Sequence, residues 1–255
     1  MSTALITGGT VGIGHAFAKH LAAQGYDLVL ASRDEAGLLA VAERFTEMYG
    51  IAVEVIRADL ACREDVLALA ERLEDPERPI DLLVNNAGFA VHASLLDRDI
   101  ALHERALDVM CLAVLILGGA AARAMKARGQ GAILNVASSS AAITTGNYSA
   151  IKAWVAIYTE GLSNELRGSG VKVTAVLPGW VKTEFHSRGG VKAHNLPDIV
   201  WIDVDRLVRQ SCRDLERGKV LSVPTKRWAF MVGLAHLAPR SVIRKVSRAL
   251  TKSRE

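Results

Sequence analysis

Near its amino terminus the chain carries the segment TALITGGTVGIGH at residues 3–15, in which a short apolar run meets a cluster of glycines. The apolar run predicts a buried strand, and the residues from His15 onwards predict a helix. Glycines let the backbone turn tightly and approach an anion, which the N–H groups and dipole of the helix start stabilise. The segment therefore predicts a strand–loop–helix unit that cradles a pyrophosphate. The alternative is a plain turn with incidental glycines.

The same alternation of short strands and longer helices continues almost to the end of the chain. Because parallel strands need crossover helices, this rhythm predicts an α/β fold. We expect a Rossmann-like, doubly wound, seven-stranded and mainly parallel sheet with helices on both faces. The predicted strands are 5–6, 28–30, 53–56, 82–84, 133–136, 171–177 and 219–223, and helical periodicity is clear at 16–23, 35–48, 66–73 and 154–166.

The composition fits one globular domain that needs no disulfide bonds for stability. The 255 residues are 50% hydrophobic and 23% charged, and no low-complexity linker interrupts them. The three cysteines are far apart and lack disulfide or zinc spacing, so we expect a reducing, cytoplasmic location and no bound metal. The apolar run 4–6 meets the glycine cluster within a few residues and leaves no room for the regions of a signal peptide, so we expect none. We predict one domain over residues 1–225 and an extension over 226–255 that is first apolar and then basic.

The end of the second strand indicates which dinucleotide is bound. An NAD-preferring protein places an acidic residue there, against the ribose hydroxyls. This chain has Ser32 and Arg33 instead. A hydroxyl and a permanently charged guanidinium suit a 2′-phosphate, so the sequence favours NADP(H). The alternative is a solvated surface arginine, with Asp34 capping the next helix.

Tyr148 and Lys152 lie four residues apart in a helical stretch and therefore share a helix face. A lysine ammonium close to a phenol lowers the pKa of the phenol, so the tyrosine can exchange a proton with a substrate near neutral pH. Surface helices also produce such pairs by chance. The significance of this pair therefore depends on the other motifs.

Taken in chain order, the motifs together resemble the classical short-chain dehydrogenase/reductase family over roughly residues 3–223. Each motif alone is weakly specific, whereas their joint occurrence in this order is highly specific. The matching motifs are Thr7-Gly8-x-x-x-Gly12-Ile13-Gly14, Asp59-Leu60, Asn85-Asn86-Ala87-Gly88, a serine after the fifth strand, Tyr148-x-x-x-Lys152 and Pro178-Gly179.

The resemblance implies catalytic roles for three side chains. Tyr148 would be the general acid/base, Lys152 would lower its pKa and bind the nicotinamide ribose, and a serine hydroxyl would polarise the substrate carbonyl. Three consecutive serines occupy 138–140, and alignment from the strand favours Ser138. The family also has an asparagine that supports a proton relay from the lysine. Met110 stands in its place, and a thioether is a poor acceptor.

By the same resemblance, residues that follow several strands contact the cofactor. Asp59 would contact adenine, or else cap the following helix. Asn86 would border the adenine ribose, or else satisfy the backbone of a turn. The expected cofactor-binding residues are Gly8, Thr10, Gly12, Ile13, Gly14, Ser32, Arg33, Asp59, Leu60, Asn86, Ala87, Gly88, Tyr148, Lys152, Pro178, Gly179, Val181 and Thr183.

These implications lead to two hypotheses about function. The first is an NADP-dependent oxidoreductase, acting as a ketoreductase, that moves hydride between nicotinamide and a carbonyl or secondary alcohol. Residues 184–203 lie where the family keeps a substrate lid, and their apolar members indicate a hydrophobic substrate; the alternative is a variable surface loop. The second hypothesis is a weakly active or non-catalytic NADP(H)-binding regulatory protein, which only Met110 supports.

The tail differs in charge from the rest of the chain. Residues 201–255 hold 13 lysines and arginines against 5 acidic residues, whereas residues 1–200 hold 18 against 22. On a helix, one apolar face contains Val242, Ile243, Val246, Ala249 and Leu250, with basic residues around it. This pattern is typical of peripheral contact with an anionic membrane, here through 240–254. The alternative is that the face docks on the body or on a neighbouring subunit. We do not expect nucleic acid to bind, because the basic residues are confined to one short segment.

The resemblance also implies a homodimer or homotetramer built from the helices before and after the fifth strand. Ala120, Ala121 and Ala122 are small enough to allow close helix contact there. The same residues could equally pack inside one subunit.

Overall fold

The computed structural model describes residues 2–181 and 200–252. Its central sheet has seven strands in the order β3-β2-β1-β4-β5-β6-β9, and all of their pairings are parallel. The predicted fold class is thereby confirmed. The strands are β1 Thr3–Thr7, β2 Asp27–Ser32, β3 Val53–Arg57, β4 Leu82–Asn85, β5 Gly131–Val136, β6 Val171–Val176, β7 Trp180–Val181, β8 Trp201–Ile202 and β9 Leu221–Ser222.

The helices cross between the strands on both faces of the sheet, as the sequence predicted. They are α1 Gly12–Ala22, α2 Glu35–Tyr49, α3 Arg63–Glu74, α4 Ala101–Leu107, a π-helical turn Asp108–Leu112, α5 Ala113–Arg128, a 3-10 turn Ser139–Ala142, α6 Asn147–Glu165, α7 Val204–Glu216, α8 Lys226–Leu237 and α9 Arg240–Lys252.

Alternating side chains of the strands bury apolar surface on opposite faces of the sheet. Leu5 of β1 packs with α3 and α5, whereas its neighbours Ala4 and Ile6 pack with α1, α2 and α7. A strand covered on both sides is apolar at every position, which is why β1 and β4 appear in the sequence as short unbroken hydrophobic runs.

The strand order reverses between β1 and β4. From β1 the chain builds outwards to β2 and β3, and then it returns to place β4 on the other side of β1. Crossovers leave in opposite directions from this point, so a crevice opens at the carboxyl ends of β1 and β4. The predicted cofactor residues of the glycine cluster and of the Asn86 segment follow these two strands.

Two features of the strands differ from the expectation. The last strand of the sheet, β9, is shorter than predicted, because only Leu221 and Ser222 pair with β6. A second, two-stranded sheet joins Trp180 to Trp201 and Val181 to Ile202. The end of the predicted lid is thus tied to the segment that follows β6. The rest of that lid, with Thr183, lies outside the described residues.

The segment 101–128 is the one described helical stretch that is long and apolar enough to cross a membrane by length and composition. More than half of it is buried inside the fold, as is typical of a core helix. Ala120, Ala121 and Ala122 are part of this buried surface and pack against the sheet of their own subunit. They are therefore not available for contact with a second subunit.

Candidate active site

The loop between β1 and α1 forms a glycine cradle. Gly8 and Gly12 have φ values of 71° and 61°, which favour glycine. A Cβ atom on Gly14 would collide with the Gly8 carbonyl oxygen and the Asn86 amide. The N-cap residue of α1, Val11, supplies no side-chain cap to the first N–H groups of the helix. Close backbone packing and an uncapped helix start fit the pyrophosphate of a dinucleotide.

Thr7 and Asn86 join the carboxyl ends of β1 and β4. The Thr7 hydroxyl accepts hydrogen bonds from the backbone N–H of Asn86 at 3.0 Å and of Ala87 at 3.1 Å. The Asn86 side chain donates to the carbonyl oxygens of Thr7 and Gly8 at 3.0 and 3.2 Å. Its amide therefore fixes the glycine cradle itself, as the turn interpretation anticipated. A ribose would meet the backbone of this segment rather than that amide.

Ser32 and Arg33 lie at the carboxyl end of β2, beside the cradle. Asp34 accepts a hydrogen bond from the backbone N–H of Gly37 at 3.0 Å and so caps α2. Ser32 accepts from the backbone N–H of Asp34 at 3.3 Å. Arg33 is exposed and makes no ion pair within residues 2–181 and 200–252. Its charge helps to lower the pKa of the nearby Asp59 carboxyl, and its exposed guanidinium can also meet an anionic ligand.

Asp59 is held by a residue that the sequence did not single out. Arg105 of α4 donates to both carboxylate oxygens at 2.9 and 2.8 Å, and the backbone N–H of Ala61 adds a third bond. Burial opposes ionisation, but these bonds outweigh it and lower the pKa of Asp59. The alternative role of Asp59 as the N-cap of α3 is wrong, since Cys62 occupies that position. The Asp59 side chain closes a local turn instead.

Ser138 is the member of the serine triplet that meets Tyr148. Backbone bonds from Ala137 to Val176 and from Ser139 to Pro178, each 2.8 Å long, hold this end of β5 against β6. Ser138 shares a hydrogen bond with the Tyr148 phenol. It also accepts from the backbone N–H of Ser140 at 3.1 Å, capping the 3-10 turn. The structure thus brings together the two side chains that alignment from the strand paired.

Tyr148 and Lys152 occupy the first two turns of α6. The residue before the helix, Gly146, has φ 83° and ψ −166°, a conformation open to glycine only. Lys152 is buried, and its Nζ donates to the Val136 carbonyl oxygen at 2.8 Å. The same Nζ lies 5.8 Å from the centre of the Tyr148 ring. Three chemically useful groups therefore converge where β5 ends.

Burial shifts the pKa values of Tyr148 and Lys152 in opposite directions. Burial raises the pKa of Tyr148 to about 12, and the hydrogen bond from Ser138 only partly offsets this. Burial also lowers the pKa of Lys152 to about 8. Lys152, whose ammonium is bound to the Val136 carbonyl, is not among the groups that shift the pKa of this phenol, so the lowering of the phenol pKa by lysine stays a prediction. Tyr148 is a protonated phenol at neutral pH.

Met110 lies close to Lys152. It is fully buried, and a Cβ atom on Gly88 would lie 3.0 Å from its sulfur and 3.7 Å from the Nζ of Lys152. The neighbouring Cys111 is close enough to Lys152 to act electrostatically on the pKa of the lysine. Burial raises the pKa of the Cys111 thiol to about 11. The surroundings of Lys152 on this side are therefore sulfur-rich and weakly polar.

His103 is a buried histidine that the sequence did not single out. It is buried on α4, and its Nδ1 bonds the Asn147 amide at 3.0 Å. Its Nε2 bonds the Ser94 carbonyl oxygen at the same distance. His103 thus ties the loop after β4 to the start of α6, one residue before Tyr148. No pattern in the sequence marked this contact, because its two partners, Ser94 and Asn147, come from separate segments.

Several other predicted cofactor residues turn their side chains inwards. Leu60 and Val181 are buried in the core, so only their backbone faces the crevice. Ala87 and Ile13 pack against the same core from its edge. Gly179 is covered by the Trp228 indole, which a Cβ atom there would strike. Of the predicted cofactor-binding residues, Thr183 alone lies outside the described part of the chain. Within the described part, no group of three His, Cys, Asp or Glu side chains could hold a metal ion.

Comparison with known proteins agrees with this geometry. The short chain dehydrogenase family matches residues 2–190. The chain is 37% identical over 183 residues to an uncharacterized oxidoreductase of Staphylococcus saprophyticus, covering 71% of this chain and 78% of that protein. It is 34% identical over 192 residues to a very-long-chain 3-oxoacyl-CoA reductase of Anas platyrhynchos, covering 71% and 60%. A short-chain dehydrogenase from Sphingobium yanoikuyae in complex with NADPH superposes with a TM-score of 0.84 at 35% identity, covering 92% of this chain and 94% of that one.

Proposed function

We propose that this chain, which belongs to the short-chain dehydrogenase family, is an NADP(H)-dependent ketoreductase that acts on a hydrophobic carbonyl compound. The observation that carries the proposal is the convergence of Ser138, Tyr148 and Lys152 at the end of β5, beside the glycine cradle. A protonated phenol, a hydroxyl and a buried ammonium in one place suit proton transfer to a substrate oxygen.

The preference for NADP(H) rests on the carboxyl end of β2. Arg33 is exposed there beside Ser32, and Asp34, the first carboxylate after the strand, is engaged in capping α2. A guanidinium attracts a 2′-phosphate, whereas an NAD site places an acidic group against the ribose. The relative from Sphingobium yanoikuyae is a complex with NADPH, which supports the same choice.

The residues of this chain divide the chemistry among them. When bound, the nicotinamide cofactor supplies the hydride that reduces the carbonyl carbon. Ser138 donates a hydrogen bond to the carbonyl oxygen and polarises it. Tyr148 transfers its phenolic proton to that oxygen as negative charge develops there. Lys152 binds the ribose hydroxyls of the cofactor and keeps a positive charge beside the phenol.

The proposal of a hydrophobic substrate rests on the apolar walls of the site and on one relative. Met110 lies near Gly88, which follows β4, and the Trp180–Trp201 pair, whose ring centres are 5.9 Å apart, follows β6. The 3-oxoacyl-CoA reductase of Anas platyrhynchos is named for a very-long-chain acyl substrate. We therefore include β-ketoacyl thioesters, bulky ketones and steroids among the compounds to be tried.

The decisive experiment replaces the proton donor. Purified enzyme is mixed with NADPH and the panel of carbonyl compounds, and the fall in NADPH absorbance is followed. Tyr148→Phe should lower kcat by about a hundredfold to ten-thousandfold, the contribution of a positioned general acid, while NADPH binding stays intact. Tyr158→Phe is the matched control, since Tyr158 lies on the same helix and, among the described residues, its hydroxyl bonds only the Leu115 carbonyl. Equal activity in both variants would refute the role of Tyr148 and favour a non-catalytic NADP(H)-binding protein.

We also propose a cytoplasmic homo-oligomer. Four large apolar side chains on α4, the π-helical turn, α5 and α6 are exposed in the single chain, and they could bury this surface against a second copy. They are Leu107, Leu112, Leu115 and Ile157.

A further inference from the structure

The helices α8 and α9 form a hairpin whose inner side is fixed to the body. Val232 of α8 packs with Ala142 in the small core cluster beside the 3-10 turn. Ile243 of α9 is buried, and the Ser247 hydroxyl accepts a hydrogen bond from the backbone N–H of Thr144 at 2.9 Å. The hairpin is therefore part of the folded enzyme, and its inner side lies next to the segment between Ser138 and Tyr148.

The outer side of the hairpin is apolar and exposed. On α8, Phe230, Leu234 and Leu237 are 72%, 57% and 86% exposed and recur at helical spacing, which places them on one face. Only part of the apolar face predicted for α9 is docked on the body. We call the exposed set the α8–α9 surface; it consists of Phe230, Met231, Leu234, Leu237, Val242 and Val246.

The charges around this surface all have the same sign. Residues 220–254 contain eight lysines and arginines and no acidic residue. Arg240, Arg244, Lys245 and Arg248 of α9 are exposed on either side of Val242 and Val246. Apolar side chains bordered by basic ones match a partner that has an apolar interior beneath an anionic surface layer.

A second copy of the chain fits this surface poorly. In a two-fold symmetric contact the same patch faces itself, so the basic residues of α9 would lie against each other and repel. A nucleic acid would satisfy the charges but leave Phe230, Leu234 and Leu237 in contact with phosphates and water. An anionic bilayer satisfies both features.

We infer that the α8–α9 surface docks on an anionic lipid bilayer, with its apolar side chains at the level of the headgroups and the basic residues of α9 against lipid phosphates. The orientation brings the segment between Ser138 and Tyr148 close to the membrane. This inference does not depend on the reaction that the enzyme catalyses.

The test measures co-sedimentation of the full chain with vesicles of phosphatidylcholine, alone or mixed with phosphatidylglycerol. We expect binding to the mixed vesicles that weakens as salt rises above about 0.1 M. Each basic residue near the lipid contributes about fivefold to the partition coefficient. The variant Arg244→Gln/Lys245→Gln/Arg248→Gln should therefore bind about a hundredfold more weakly. Leu234→Ser/Leu237→Ser should also lose binding, because it removes apolar depth at unchanged charge.

The matched control is Arg63→Gln/Lys126→Gln/Arg167→Gln, which removes three exposed charges from other parts of the body. Circular dichroism and melting temperature check that every variant is folded. The inference holds if the control binds as the parent does while both α8–α9 variants lose binding. It is overturned if the parent ignores anionic vesicles, if the control and the α9 charge variant lose binding equally, or if Leu234→Ser/Leu237→Ser converts an oligomer to a smaller species without changing vesicle binding.

Discussion

Carbonyl reduction should lose rate as the pH rises through about 8, where Lys152 gives up its proton. Burial lowers the pKa of this lysine from 10.5 to about 8, and no carboxylate is among the charges acting on it. The ammonium is then about nine-tenths populated at pH 7 and about one-tenth populated at pH 9. If the cationic form alone positions the cofactor ribose and assists proton transfer, kcat/KM falls about tenfold between these two values.

The neighbouring groups do not titrate in the same window. The pKa of Tyr148 is raised to about 12 and that of the Cys111 thiol to about 11, both by burial. The limb near pH 8 therefore belongs to Lys152. The assay follows NADPH oxidation under kcat/KM conditions from about pH 6 to about pH 10, because kcat/KM reports the groups of the free enzyme.

Two variants distinguish the lysine from other causes. Lys152→Arg keeps a positive charge throughout this range, so its profile should be flat near pH 8 even if its activity is lower. Cys111→Ser should keep the limb of the parent enzyme. A limb at the same pH in Lys152→Arg, or a flat profile in the parent enzyme, would refute the assignment of the limb to Lys152.

Two further predictions concern the cofactor and the assembly. Arg33→Ala should raise the KM for NADPH about tenfold while the KM for NADH changes little, because a charge-assisted hydrogen bond to the 2′-phosphate is lost. Steady-state kinetics with both cofactors test this, with Arg63→Ala as the control. Equal losses for NADPH and NADH would exclude the role of Arg33. The parent chain should sediment as a dimer or tetramer at micromolar concentration. Leu115→Glu/Ile157→Glu should yield monomer, because charges replace apolar side chains that are 45% and 66% exposed in one chain. A parent enzyme that sediments as a monomer would refute the proposed oligomer.

The parts of the site that the sequence predicted are those set by local chain geometry. The glycine cradle follows from a strand, a tight turn and a helix within one short segment, and Tyr148 and Lys152 meet because residues four apart share a helix face. The register of Ser138 follows from its distance to the end of β5. In each case, a spacing of a few residues determines the arrangement, so the linear sequence contains the necessary information.

The features that the sequence did not predict depend on contacts between distant segments. Arg105 is 46 residues from Asp59, and His103 is 44 residues from Asn147. Nothing in either segment alone marks its partner, since an arginine or a histidine on a helix is ordinarily solvated. The α9 helix was ambiguous for the same reason. Its apolar face is visible in the sequence, but only the fold shows that Ile243 docks while Val242 and Val246 remain exposed.

The high pKa of Tyr148 bears on the direction of the reaction. With a pKa of about 12, forming the phenolate at pH 7 costs about 7 kcal/mol, at 1.36 kcal/mol for each pH unit. Alcohol oxidation needs this phenolate as the proton acceptor, whereas carbonyl reduction starts from the phenol already present. Ser138 lowers the cost slightly through its hydrogen bond, and Lys152, with its ammonium bound to the Val136 carbonyl, does not remove it. At neutral pH the proton donor for reduction is therefore already present, whereas oxidation should gain rate as the pH rises and the phenolate becomes more populated, so the two directions differ in their pH dependence.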